Sequence, residues 1–328
     1  MAERQGDGNL AEERRKNMSD KKIMVTGAAG LVGQNLVQRM LRKGFDEIVA
    51  IDKHKENSAV LRRLHPSVKV VLADLATDDG WEQELASCAA LVIGHAQIGG
   101  LDPEEFIKNN IRATERLIEA ATRQRVPYIV HISSSVVNSK AVDNYTETKK
   151  KQESIVVGVG IEQIVLRPTL MFGWFDRKHL GWLARFMCRV PVFPIPGSGE
   201  YLRQPLYVGD FCDIIIASLE KRITGTSNIT GQERISYIEL IKTIRDAVNS
   251  KTIIVNIPYF VFWILLKTYA LLNSNPPFTA NQLEALVTPD VFEVIDWPEI
   301  FGVKSTPLAQ ALSETFRDPV YSQIALEF

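Results

Sequence analysis

The run Val25-Thr26-Gly27-Ala28-Ala29-Gly30-Leu31-Val32-Gly33 constrains this chain more than any other stretch. It follows a short apolar segment, residues 22–26 (KIMVT). It opens residues 30–43, where Leu31, Leu36, Val37, Met40 and Leu41 recur at helical spacing. Three glycines at intervals of three, between a strand and a helix, have few uses. Gly27 lets the chain turn out of the strand, Gly30 clears room for a phosphate, and Gly33 lets the helix pack close to the sheet. The helix N-terminus then offers free N–H groups and a positive dipole end to an anion. Asp52 stands 19 residues after Gly33, at the end of the next apolar run, residues 47–51. A carboxylate at about that distance accepts hydrogen bonds from an adenosine ribose. It also repels a 2′-phosphate, so the pattern favours NAD over NADP.

Short apolar runs continue at 68–72, 90–93, 128–132 and 161–166, and residues 103–124 carry Ile111, Leu117, Ile118 and Ala121 at helical spacing. Strands alternating with helices give a parallel sheet with helices on both faces. The expected fold is therefore α/β, a Rossmann-type doubly wound parallel sheet with a smaller C-terminal substrate-binding lobe. Residues 1–20 read as a flexible charged tail, 21–168 as the NAD-binding domain and 169–328 mainly as the substrate lobe, with 205–220 returning to the first domain. Residues 169–204, rich in aromatics, Pro and Gly, read as an irregular lid. Helices are expected at 236–249, capped by Ser236 with Glu239, and at 306–316.

A net charge of −1 gives no basic excess for a nucleic-acid partner. The cysteines Cys88, Cys188 and Cys212 are few and far apart, which suits a reducing cytoplasm and forms no metal site. His54, His65, His131 and His179 show no ligand spacing either. Residues 257–266 (IPYFVFWILL) are ten apolar residues before Lys267, where a membrane span needs about 20. They read first as a buried helix or a partner interface, and second as a helix lying on a membrane surface.

Ser133-Ser134-Ser135 ends the fifth strand, and Tyr145 and Lys149 follow, four residues apart. On a helix that spacing puts both on one face. A phenol with a pKa of about 10 is a poor base at neutral pH, and a nearby ammonium favours its phenolate. Tyr145 would then exchange a proton with a carbinol or ketone during hydride transfer.

Together these residues resemble the extended short-chain dehydrogenase/reductases of the NAD-dependent epimerase/dehydratase group. The likeness covers residues 22–316. It rests on the glycine turn, Asp74-Leu75, Asn110-Ile111-Arg112-Ala113-Thr114, the Tyr145/Lys149 pair, Leu166-Arg167-Pro168 with Gly173, and residues 197–210 (GSGEYLRQPLYVGD). The resemblance implies Ser134, Tyr145 and Lys149 as the catalytic triad. It implies Gly27, Ala29, Gly30, Leu31, Val32, Gly33, Asp52, Asp74, Leu75, His95, Asn110, Lys149 and Pro168 around NAD. Ser134, Ser135 and Arg203 would hold substrate, with Arg203 as a diphosphate clamp. A nucleotide-sugar substrate and a possible homodimer are implied as well.

The chain also departs from that pattern. Tyr145 follows Ser134 by only 11 residues, His95 sits in Gly94-His95-Ala96-Gln97, and Leu170 stands where sugar-nucleotide epimerases and dehydratases carry Asn. The leading expectation is an epimerase or ketoreductase/dehydrogenase of a nucleoside-diphosphate sugar. Two alternatives are an oxidoreductase of a steroid-like or other lipophilic alcohol, and a non-catalytic NAD(P)-binding scaffold subunit.

Overall fold

The computed structural model describes residues 21–140, 142–272, 283, 287 and 292–327. The tail, 1–20, lies outside the described residues. The first half runs β1 (Ile23–Thr26), α1 (Leu31–Arg42), β2 (Ile48–Asp52), α2 (Lys55–Leu64), β3 (Lys69–Leu72) and β4 (Ala90–Ile93). It continues through α3 (residues 103–123), β5 (Tyr128–Ile132), α4 (Asn144–Val157) and β6 (Glu162–Pro168). Helix α3 is interrupted by a π-helical turn, Ile107–Arg112, that no apolar spacing announced.

Among the described residues, seven strands form one parallel sheet in the order β3-β2-β1-β4-β5-β6-β11, where β11 is Gly225–Ile229. Every residue of β1, β4 and β5 is buried, which is why these strands read as unbroken apolar runs. Their side chains alternate between two cores. Ile23 and Val25 join Leu36, Val37, Phe211 and Ile215 on one face. Met24 joins Leu91, Leu117 and Ile129 on the other. The strand order reverses between β1 and β4, so a crevice opens at their C-terminal ends.

The second half contributes β7 (Met171–Phe172), α5 (Leu180–Met187), β8 (Val192–Pro196), β9 (Leu202–Arg203), β10 (Leu206–Tyr207) and α6 (Val208–Lys221). Helix α6 packs on α1 and leads into β11 beside β6. Arg39 of α1 ties this layer together, reaching Asp213 at 3.5 Å, Glu314 at 3.0 Å and the Tyr207 hydroxyl at 3.0 Å. Then come β12 (Ile235–Ser236), α7 (Tyr237–Ala247), β13 (Ile253–Ile257), α8 (Tyr259–Leu272), α9 (Trp297–Phe301) and α10 (Leu308–Arg317). Ser236 Oγ accepts from Glu239 N at 3.4 Å at the start of α7.

Two expectations are corrected. Residues 169–204 are not an irregular lid: α5 and β8 form because Leu180, Ala184, Met187, Phe193 and Ile195 share the core of the lobe. Helix α8 is not buried, since Phe260, Ile264 and Leu265 are 65%, 51% and 56% exposed. A helix that is apolar all round carries no mark of which side it packs. Among the described residues no helix is long and apolar enough to cross a membrane.

Candidate functional site

The glycine turn closes against β4. Gly27 has φ +65°, and a Cβ there would come within 2.6 Å of the Gly94 backbone. A Cβ on Gly33 would stand 2.4 Å from Ala28 Cα. Gly30 differs: it takes an ordinary extended φ of −81°, and a Cβ there would make only van der Waals contact at 3.4 Å. Among the described residues nothing demands glycine at position 30, whereas a pyrophosphate laid on the turn would. Gly30 is also the N-cap of α1 without any capping side chain, so the first-turn amides of Leu31 and Val32 remain open to an anion. These features fit a dinucleotide.

Asp52 ends β2, and its carboxylate accepts from Ala29 N at 2.9 Å and His54 N at 2.8 Å. Burial pushes its pKa up, and these amides offset only part of that. The acid therefore braces the glycine turn as well as facing the crevice end of β2. Asp74, just beyond β3, pairs with Lys108 Nζ at 3.0 Å and accepts from Ala76 N. Burial raises its pKa, but Lys108 and the amide outweigh burial and hold it below the usual value. Leu75 beside it is buried with Trp81 in the second core.

Both ring nitrogens of His95 are engaged, Nδ1 with Thr26 Oγ1 at 2.9 Å and Nε2 with Thr114 Oγ1 at 3.0 Å. Burial, reinforced by Lys149, drives its pKa down to about 3, so the ring is neutral. His95 thus clamps β1 to α3, and its carbonyl accepts from Gln152 Nε2 of α4 at 3.2 Å. Asn110 is fully buried in the π-helical turn. It holds the loop after β4, accepting from Gln97 N at 2.6 Å and donating to Gln97 O at 3.1 Å and Thr148 Oγ1 at 3.0 Å.

Helix α4 presents Tyr145 and Lys149 on successive turns, started by Asp143, which accepts from Thr146 N at 2.9 Å. The Ser134 hydroxyl, which accepts from Val136 N at 3.4 Å, lies near the Tyr145 phenol and acts to lower its pKa. Ser134 sits just past β5, and Ser135, half-buried, begins the turn Ser135–Asn138. Lys149 is 1% exposed, and its ammonium donates to Ile132 O at 3.0 Å and Gln152 Oε1 at 2.6 Å. Burial pulls its pKa down to about 7, against the attraction of Glu153. Burial also raises the Tyr145 pKa, and the Ser134 hydroxyl opposes it. The expected lowering of the phenol by the lysine is therefore not the net effect: burial outweighs it. Pro168, buried at the end of β6, lies opposite Ile229 of β11.

Sequence reasoning missed a second network beneath this site. Ser133 Oγ donates to the Glu153 carboxylate, and Arg167 Nε donates to the same oxygen at 3.1 Å. These contacts fasten α4 to the ends of β5 and β6. Glu153 lies one turn beyond Lys149, and that spacing was the available signal. Arg203 lies on β9 in the lobe, donating to Leu202 O at 2.9 Å with its guanidinium 5.2 Å above the Tyr201 ring. Trp174 and Phe175 are core residues, whereas Trp182 stacks on Phe186 near the surface.

Comparison with known proteins locates this arrangement. The model of the NAD dependent epimerase/dehydratase family matches residues 23–230, more than half of the chain. The chain is 24% identical over 220 residues to the 4-hydroxy-2-methyl-3-oxo-4-farnesyl-3,4-dihydroquinoline-1-oxide ketoreductase of Stigmatella aurantiaca, covering 61% of this chain and 65% of that protein. It is 21% identical over 270 residues to the UDP-N-acetyl-alpha-D-glucosaminuronate decarboxylase of Bacillus cytotoxicus, covering 73% and 84%. Among solved structures, UDP-glucuronic acid 4-epimerase from Bacillus cereus in complex with NAD matches with a TM-score of 0.63 at 22% identity, over 81% of this chain and 100% of that one. That last likeness establishes the fold. The family match goes further, and the chain belongs to the NAD dependent epimerase/dehydratase family.

Proposed function

We propose that this protein is an NAD-dependent epimerase or ketoreductase/dehydrogenase that acts on a nucleoside-diphosphate sugar, with Tyr145 as its acid/base. The observation that carries the reading is the placing of Tyr145 on α4 one helical turn from the buried Lys149, with Ser134 near enough to oppose the rise in the phenol's pKa. Gly27, Gly30, Gly33 and the amides of Leu31 and Val32 hold the pyrophosphate, and Asp52 takes the adenosine ribose. NAD, when bound, accepts and returns a hydride at its nicotinamide ring.

The chain's own residues manage the proton. Tyr145 Oη takes it from a carbinol on oxidation and returns it to the ketone on reduction. Ser134 Oγ donates to the same substrate oxygen. The Lys149 ammonium, fixed by Ile132 O and Gln152 Oε1, supplies the positive charge that favours the phenolate. Arg203 meets the substrate's diphosphate. The relatives that act on UDP-sugars support this substrate class.

A second reading keeps the chemistry and changes the substrate to a lipophilic alcohol. Leu170, half exposed just beyond β6, favours it, as does the ketoreductase relative with a farnesylated substrate.

Tyr145→Phe tests the shared chemistry. It is expected to lower kcat by about 10²–10⁴-fold, with the Kd for NAD changed less than about twofold. Wild-type turnover in the variant would remove Tyr145 from the mechanism.

A further inference from the structure

Helix α8 is apolar on nearly every side, with Lys267 its one charged residue. Phe260, Trp263 and Ile264 fall at i, i+3 and i+4, a stripe on one side of the helix, with Lys267 one turn further on. Here the stripe faces outward, with Phe260 65%, Trp263 41% and Ile264 51% exposed. The helix has 14 residues, about 21 Å at 1.5 Å per residue, against a hydrocarbon thickness of about 30 Å. It is too short to span a bilayer and suited to lying on one.

Charge identifies the occupant. From residue 247 to residue 283 the chain has no Asp or Glu, and its only charged residues there are Lys251 and Lys267. Lys267 Nζ lies 5.3 Å from the Trp263 ring centroid, so the cation rides on the apolar stripe beside an aromatic ring. Lysine and tryptophan side by side suit the headgroup layer, where the ammonium meets phosphate and the ring stays at the apolar boundary. A second copy of the chain is a poorer fit. A two-fold contact through this stripe would bury Lys267 near its twin, with no acid on α8 to pair with either.

We propose that α8 docks this protein on the surface of a bilayer containing anionic phospholipid, with Phe260, Trp263 and Ile264 in the interface and Lys267 at the headgroups. Docking would hold the substrate lobe against the membrane. Helix α8 leaves β13, and Asn256 Nδ2 of that strand donates to Gly197 O and Ser198 O at 2.9 Å, on the path to Arg203. The proposal is independent of which substrate the site takes.

The test is co-sedimentation of the full chain with phosphatidylcholine vesicles, with and without phosphatidylserine. Binding is expected to be stronger with phosphatidylserine and to weaken as salt rises. Phe260→Ser with Ile264→Ser should lower the partition coefficient by about tenfold or more. Lys267→Glu should lower it by about tenfold on the anionic vesicles and much less on the neutral ones. An unchanged thermal shift with NAD shows that each variant is folded. Failure of the wild-type protein to sediment with either vesicle overturns the proposal. So does a concentration-dependent dimer that these same substitutions dissociate while vesicle binding is absent.

Discussion

Lys149 carries its charge in a place that resists it. The side chain is 1% exposed, and burial brings its pKa to about 7, against about 10.4 for a free lysine. Between those values the unfolded chain binds more protons than the folded one, so this residue makes stability rise with pH from about 7 upward. Cys88, pushed up to about 11 by burial, acts in the opposite sense but only above about 9. Thermal melts of the ligand-free protein should therefore show Tm rising between about pH 7 and 9, and Lys149→Met should flatten that rise. An equal rise in the variant would mean that other groups set the slope. Asp52 offers a second residue-level test. Its carboxylate holds Ala29 N and His54 N, so Asp52→Ala should loosen the glycine turn and weaken both dinucleotides. NAD should lose more than NADP, moving the ratio of their Kd values by about tenfold. An unchanged ratio would remove Asp52 from ribose recognition.

At the scale of elements, Asp210 fastens the start of α6 to the C-terminal segment, accepting from Thr306 N at 2.9 Å and from Thr306 Oγ1 at 2.6 Å. Burial raises its pKa to about 6 even against these donors. Asp210→Ala leaves two donors of Thr306 without their acceptor and should cost about 1–3 kcal/mol in urea unfolding. A loss below a few tenths would mean that water replaces the carboxylate. Elements such as β5 were legible because burial on both faces writes itself as a continuous apolar run, YIVHI. The turn at Gly27 was legible because only glycine accommodates that approach to Gly94. The π-helical turn at Ile107–Arg112 was not, since the residues it buries, Asn109 and Asn110, are polar and leave no mark in an apolar pattern. The exposure of α8 was hidden for a different reason: composition reports how apolar a helix is, and only tertiary structure reports what covers it. The link of Ser133, Glu153 and Arg167 was missed because it joins residues up to 34 positions apart, at three elements that only the folded chain brings together.

The whole molecule divides the proposed ligands between two halves. The dinucleotide residues lie on the seven-stranded sheet and its turns, while Arg203 lies on β9 in the lobe, paired with β12. A ligand that engages both halves should stabilise the fold beyond NAD alone, by about 2.7 kcal/mol at a concentration one hundred times its Kd. Thermal unfolding with NAD, and then with UDP-, dTDP- and GDP-sugars added, reads this directly. One nucleotide family should add to the NAD shift, and Arg203→Ala should abolish the added shift while leaving the NAD shift in place. If Arg203→Ala erases both shifts equally, the residue supports the lobe rather than a diphosphate. If no sugar nucleotide adds anything in the wild-type protein, Arg203 has no diphosphate to hold. The half-exposed Leu170 would then mark the substrate as a lipophilic alcohol.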